Sequence, residues 1–168
     1  NSNEHVTSSM NTALEPLRLA NGPMIKSVTN LDGPPGIESQ QDADSAALQV
    51  INIIKRNNSA DAFVIACFSD PGIYAAREVT NKPVFGIAES CILTALSLGS
   101  SFGILAILDT SVPRHVRYVR SLGLEKRLAG DLAIGLGVAE LSVEKKTFHR
   151  LLEVGRKLRD NHEASVLI

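Results

Sequence analysis

The sequence predicts an α/β protein assembled from parallel βαβ units, and three features carry that prediction. Asp61 to Cys67 is almost continuously apolar, the signature of a strand covered on both faces of a parallel sheet. Further short apolar runs occur at Pro83 to Ala88, Phe102 to Leu108 and Ala164 to Ile168. Between these runs lie stretches whose apolar residues recur at helical spacing, so strand and helix alternate along the chain. Connections of this kind are almost always right-handed, and ligands then bind at the C-terminal ends of the strands. The loops after Cys67, Ala88, Leu108 and Ile168, with the turn at Asn1, are therefore the places to look for a site.

Each element has a local reason. Asn3 or Ser2 can cap a helix from Glu4 to Leu19, in which Val6, Met10, Ala13, Leu14 and Leu17 form one stripe, and Asn21-Gly22-Pro23 stops it. Met24 to Asn30 alternates like a strand, and the turn-rich loop Leu31-Asp32-Gly33-Pro34-Pro35-Gly36 follows. Asp42 to Asn57 reads as a helix with Ala46, Ala47, Val50, Ile51 and Ile54 on one face. After the Asp61–Cys67 strand, Ile73 to Val79 is a short helix with Asp70 at its N-cap and Pro71 at its first position. Glu89-Ser90 opens an apolar helix from Cys91 to Leu98, which Gly99 ends, and Arg114 to Leu122 is helical up to Gly123. Glu125 to Ala139 has no clear period. Val143 to Asp160 is a long amphipathic helix with Phe148, Leu151, Leu152, Val154 and Leu158 on its inner face.

Composition narrows the function. A chain of 168 residues with 44% apolar and 21% charged residues has the make-up of a folded globular domain or two small lobes. Seventeen basic against eighteen acidic residues give a net charge of -1, without the basic excess of a nucleic-acid or anionic-membrane binder. The sequence has neither a long apolar span nor a basic, apolar leader at its start, so a cytoplasmic protein is expected. It starts at Asn1 without methionine and ends on the strand-like Val166-Leu167-Ile168, which reads as an excerpt of a longer protein.

Two cysteines, Cys67 and Cys91, are too few for a disulfide framework and lack zinc-site spacing. Cys67 ends its strand just ahead of a helix N-terminus, a position that lowers a thiol pKa and makes a nucleophile or base. Equally, a cysteine ending a core strand can serve packing alone. Cys91, early in an apolar helix beside Ile92 and Leu93, reads as a buried packing residue. His5, His115, His149 and His162 lie in or beside surface helices with no metal-ligand spacing and no evident Ser or Asp partner, and read as solvated or capping residues. Arg114, Arg117 and Arg120 read as a solvated helix face. The glycines at Gly33–Gly36 and Gly135–Gly137 lack the dinucleotide-binding pattern and read as loops, so no cofactor is expected.

Several motifs, in order, resemble the aspartate/glutamate/hydantoin racemase superfamily, and within it the hydantoin and allantoin racemases. Asn1-Ser2-Asn3 is similar to the turn after the family's first strand, and Gly33-Pro34-Pro35-Gly36-Ile37-Glu38-Ser39 to its G-P-x-S-I-E loop, with Gly36 where serine is more usual. Ala66-Cys67-Phe68-Ser69-Asp70-Pro71-Gly72 resembles the first catalytic loop, and Arg77-Glu78 with Pro83-Val84-Phe85-Gly86-Ile87-Ala88-Glu89 the segment after it. The resemblance implies two similar Rossmann-like lobes with parallel sheets, residues 1–88 carrying Cys67 and residues 89–168 forming the second, with the active site in the cleft between them. It implies a cofactor-independent racemase of cyclic ureides, with Cys67 as one of two acid–base thiols. By the same resemblance, Asn1, Ile37, Ser69 and Thr110 match or neighbour substrate-contacting positions, and Gly86 lies on the strand lining the site. The second cysteine would follow Ile168, in an L-G-C-A-G-like turn, and Cys91 does not replace it. Homo-oligomers are common in the family. Other readings are a superfamily decarboxylase or cis-trans isomerase using one cysteine, or a non-catalytic small-molecule-binding relative.

Overall fold

The computed structural model describes residues 1–168. The chain forms α1 (Glu4–Ala13), α2 (Gln40–Arg56), β1 (Phe63–Ile65), α3 (Ile73–Glu78), β2 (Val84–Gly86), α4 (Ile87–Leu98), β3 (Phe102–Ala106), α5 (Val112–Ser121), β4 (Leu128–Ala133), α6 (Glu144–His162) and β5 (Val166–Leu167), with short 3-10 turns between some of them. Both sheets are parallel. β1 pairs with β2, and β3 lies between β4 and β5. The result is an α/β fold of two lobes, each with its own sheet and its own core.

In the first lobe, Ile54 of α2 and Ile73 and Ala76 of α3 pack on Ile65 and Val84 of the two strands. That covers one face only. Val64 and Phe85, register partners on the opposite face, are 64% and 50% exposed, so the expected double-sided burial of this strand does not hold. Strand residues alternate between faces, and both helices sit on the same one. In the second lobe β3 is covered twice: Phe102 and Ile104 meet Ile92 and Ala95 of α4 and Val119 of α5, while Leu105 packs with the cluster of Val154 and Leu158 from α6. Each fully buried side chain of this size contributes about 1.5–3 kcal/mol. Gly103 lets α6 approach, since a Cβ there would sit 3.2 Å from Leu158 Cδ1.

Several boundaries differ from the sequence reading. The first helix ends at Ala13 rather than Leu19, because Pro16 interrupts it and a 3-10 turn over Glu15–Leu17 follows. Met24 to Asn30 alternates but forms no strand; its backbone bond to another segment is Asn30 N–H to the Asn1 carbonyl at 3.0 Å. The stretch without a clear period holds β4. α4 starts at Ile87, earlier than expected, and no helix is long and apolar enough to cross a membrane.

Candidate active site

Cys67 lies two residues past the end of β1 and packs against Ile37, which precedes α2, and Ala43 and Ala46 of its first turns. The chain then turns sharply, the Asp70 N–H donating to the Cys67 carbonyl at 2.9 Å. The sequence reading gives this thiol a lowered pKa from a helix N-terminus, and the structure corrects it. Burial pushes the thiol up, and the Ser69 backbone N–H and hydroxyl, which favour the thiolate, only partly offset that. The expected helix begins at Ile73, several residues on and too far to dominate.

Asp70 is also reassigned. It adopts a left-handed backbone, φ 40, and the residue capping α3 is Gly72. The Asp70 carboxylate turns instead to the start of α4, accepting from Ala88 N–H at 3.0 Å and Glu89 N–H at 2.8 Å, and from Tyr118 Oη–H at 2.9 Å. α4 has a glycine, Gly86, in its own capping position, so a side chain from another loop completes its first turn. Burial holds the Asp70 carboxyl above the usual carboxylate range, against the pull of these donors, and the Tyr118 phenol is pushed far up by burial and the nearby carboxylate.

The other predicted residues distribute around this loop. Ile37 is buried in the cluster that touches Cys67. Ser69 faces the second lobe, accepting from Arg114 Nε–H at 3.0 Å. Thr110, exposed at the end of the β3 segment, donates from Oγ1 to the Glu38 carbonyl at 3.0 Å, and Glu38 Oε1 accepts from Val138 N–H at 2.8 Å. Glu38 therefore straps the Ile37 loop to both second-lobe loops. Asn1 lies beside the same loop, where Ser2 N–H donates to the Pro34 carbonyl at 3.1 Å, and it is Asn3 that caps α1 through His5 N–H at 3.0 Å. Gly36, in the usual serine position of the resemblance, presses on Val138: a Cβ there would lie 2.8 Å from Cγ2. Gly86 is buried beneath Asp70, whose carboxylate fills the space a side chain there would need.

Two residues that sequence reasoning placed on the surface prove central. His115 is not solvated but buried, its Nδ1 3.0 Å from Asp131 Oδ2 on β4, and its ring meets Phe68 in a T-shaped contact. Arg114 is likewise no surface residue; only 8% exposed, it bonds Ser69 and, from Nη2, Ser111 Oγ at 3.3 Å. A signal existed: His115 lies three and four residues before Tyr118 and Val119, on the apolar stripe of α5. Conversely Cys91 is exposed on α4 rather than buried, because α4 turns Ile92 and Ala95 to the core instead. A cavity of about 290 Å³ opens between α2 and α5 over the Phe68–Gly72 loop, lined by Gln40, Ala43, Arg114 and Tyr118 among others but not by Cys67. No group of His, Cys, Asp or Glu side chains converges as metal ligands would.

Taken together, the fold and site define a two-lobed α/β protein that presents a thiol, with hydroxyl and amide donors, where the first sheet ends against the second lobe. The family model described as Asp/Glu/Hydantoin racemase matches residues 1–168, and the chain belongs to that family. It is 37% identical over 140 residues to a hydantoin racemase of Pseudomonas sp. (strain NS671), covering 80% of this chain and 56% of that protein. With the hydantoin racemase of Paenarthrobacter aurescens it shares 36% over 142 residues, covering 82% and 59%. The chain thus spans under two thirds of the length of these curated relatives. Among solved structures, the allantoin racemase from Klebsiella pneumoniae superposes with a TM-score of 0.80 at 26% identity, over 99% of this chain and 78% of that one. The allantoin racemase from Pseudomonas fluorescens, at 22% identity, shares the fold with a TM-score of 0.92, over 99% and 72%.

Proposed function

We propose that this chain supplies one acid–base face of a cofactor-independent racemase acting on five-membered cyclic ureides, a 5-substituted hydantoin or allantoin. The observation that carries this reading is the position of Cys67: a thiol at the strand end, beside Ser69 and against the Ile37 loop, in a chain that aligns with hydantoin racemases. The stereogenic carbon of such a ring lies next to a carbonyl, so its proton is removable by a base of thiolate strength. Cys67 as thiolate takes that proton and leaves a planar enolate, whose oxygen is stabilised by hydrogen-bond donors. A proton returned to the opposite face inverts the centre, and the resemblance brings that second thiol from the turn after β5.

Around the ring, Asn1, Ser69 and Thr110 offer polar contacts, Ile37 an apolar wall and Gly86 a backbone edge. The test is the loss of optical rotation of an enantiopure 5-substituted hydantoin, and of allantoin, with the full-length protein and its Cys67→Ala and Cys67→Ser variants. The reading expects racemisation above the spontaneous rate that falls at least about a hundredfold in both variants. Absence of racemisation of either ring by the folded protein would sink it, and favour a family relative that uses a single cysteine.

A further inference from the structure

The loop that carries Ile37 onto Cys67 is fastened to the second lobe through Glu38. The Glu38 carbonyl accepts from Thr110 Oγ1–H at 3.0 Å, in the turn after β3, and its Oε1 accepts from Val138 N–H at 2.8 Å, in the turn after β4. Its own N–H donates to Asp42 Oδ2 at 3.1 Å, in the first turn of α2. The side-chain bond has a local cause. Val138 opens a 3-10 turn, and an N–H in that position has no acceptor within the turn. The residue ahead of it, Gly137, has no side chain to supply one, and the carboxylate arrives from the other lobe instead.

Two glycines let the loops meet this closely. A Cβ on Gly137 would lie 2.9 Å from Glu38 Oε1, and one on Gly36 would lie 2.8 Å from Val138 Cγ2. Ile37, between Gly36 and Glu38, is buried with Ala43 and Ala46, and Cys67 packs on that cluster. Other polar contacts between the lobes run from α5 to Ser69, Asp70 and Gln40, and hold the Cys67 loop and the start of α2. We propose that Glu38 is a positioning residue: by reaching across to the Val138 N–H, it holds the Ile37 wall of the site against Cys67. This rests on the reading of Cys67 as an acid–base group, and deepens it by naming what sets the wall beside the thiol. The bond needs an acceptor at Oε1 and no charge, because its partner is a neutral amide.

The test reads the position of the loop as well as turnover. In the full-length protein, alkylation of Cys67 by iodoacetamide at fixed pH is followed by mass spectrometry of its peptide, with circular dichroism confirming the fold. Glu38→Ala is expected to be alkylated about fivefold faster, the weight of one ordinary hydrogen bond on a local opening. Glu38→Gln keeps the acceptor and is expected to stay within about twofold of the parent. Gly137→Ala pushes on the flexible end of Glu38 and not on backbone, so it is expected to speed alkylation in the parent and to add little in Glu38→Ala. With a racemised ureide, KM is expected to rise in Glu38→Ala while kcat stays within about twofold, since the looser wall is re-ordered when the ring binds. An unchanged alkylation rate in Glu38→Ala, a Glu38→Gln as fast as Glu38→Ala, or a fall in kcat at unchanged KM would overturn the proposal. A protein that racemises no ureide yet shows these alkylation rates would overturn the functional reading and leave this one standing.

Discussion

The Asp70 carboxylate occupies the space that a side chain on Gly86 would need: a Cβ on Gly86 would lie 2.2 Å from both Cγ and Oδ2 of Asp70. The contact joins the Cys67 loop to the start of α4 and, through Tyr118, to α5, so the geometry of the thiol depends on a glycine on another strand. Gly86→Ala should expel the carboxylate and leave two α4 amides and a phenol without their acceptor. The expected loss is about 2–4 kcal/mol, read as a lower midpoint in urea unfolding. A variant within about 0.5 kcal/mol of the parent would show that Asp70 does not hold this junction.

The His115–Asp131 pair ties α5 to β4 in the same core region. Asp131→Ala strips the buried imidazole of its partner and should destabilise the protein by about 2–4 kcal/mol in thermal or denaturant unfolding. A side chain on the surface would give close to zero, as the reading of His115 as a solvated residue expects.

Those two residues show where sequence reading reaches and where it stops. The apolar runs around Ile65, Val84 and Ile104 mark strands because burial demands apolar side chains there. β4 escaped notice because Gly130 and Asp131 are both poor strand formers, and each has a tertiary reason for its place. A Cβ on Gly130 would meet Leu158 Cδ2 and His162 Nδ1 at 3.0 Å, so α6 packs against bare backbone, and Asp131 is there to meet His115. Cys67 and its loop were legible from their order along the chain. Arg114 was not, since periodicity tells which face a residue is on but not what another lobe brings to that face.

Cys67 sets a pH dependence. Its ionisation lies above the ordinary thiol value, chiefly through burial, so at neutral pH the resting group is the thiol. Alkylation, and any step in which Cys67 acts as base, should rise as pH climbs through that ionisation. Stability moves the other way. Above the unfolded-state pKa the native chain retains a proton that the unfolded chain has lost, so stability falls with rising pH until the folded pKa is passed, and Cys67→Ala removes that part of the decline. Urea unfolding of parent and variant across the alkaline range measures the difference.

Cys91 is exposed on α4, and the proposed mechanism does not use it. Cys91→Ser should leave stability within about 0.5 kcal/mol and racemisation unchanged. Loss of activity in this variant would assign the second thiol to α4 instead of the turn after β5.

The central claim is that Cys67 moves the proton at the stereogenic carbon. The most direct measurement is uptake of solvent deuterium at that carbon by proton NMR, starting from each enantiomer of a 5-substituted hydantoin and of allantoin, with parent protein and Cys67→Ser side by side. The account predicts rapid uptake from both enantiomers with the parent, and loss of at least the exchange from the enantiomer whose hydrogen faces Cys67 in the variant. Undiminished uptake from both enantiomers in a folded Cys67→Ser protein would contradict it.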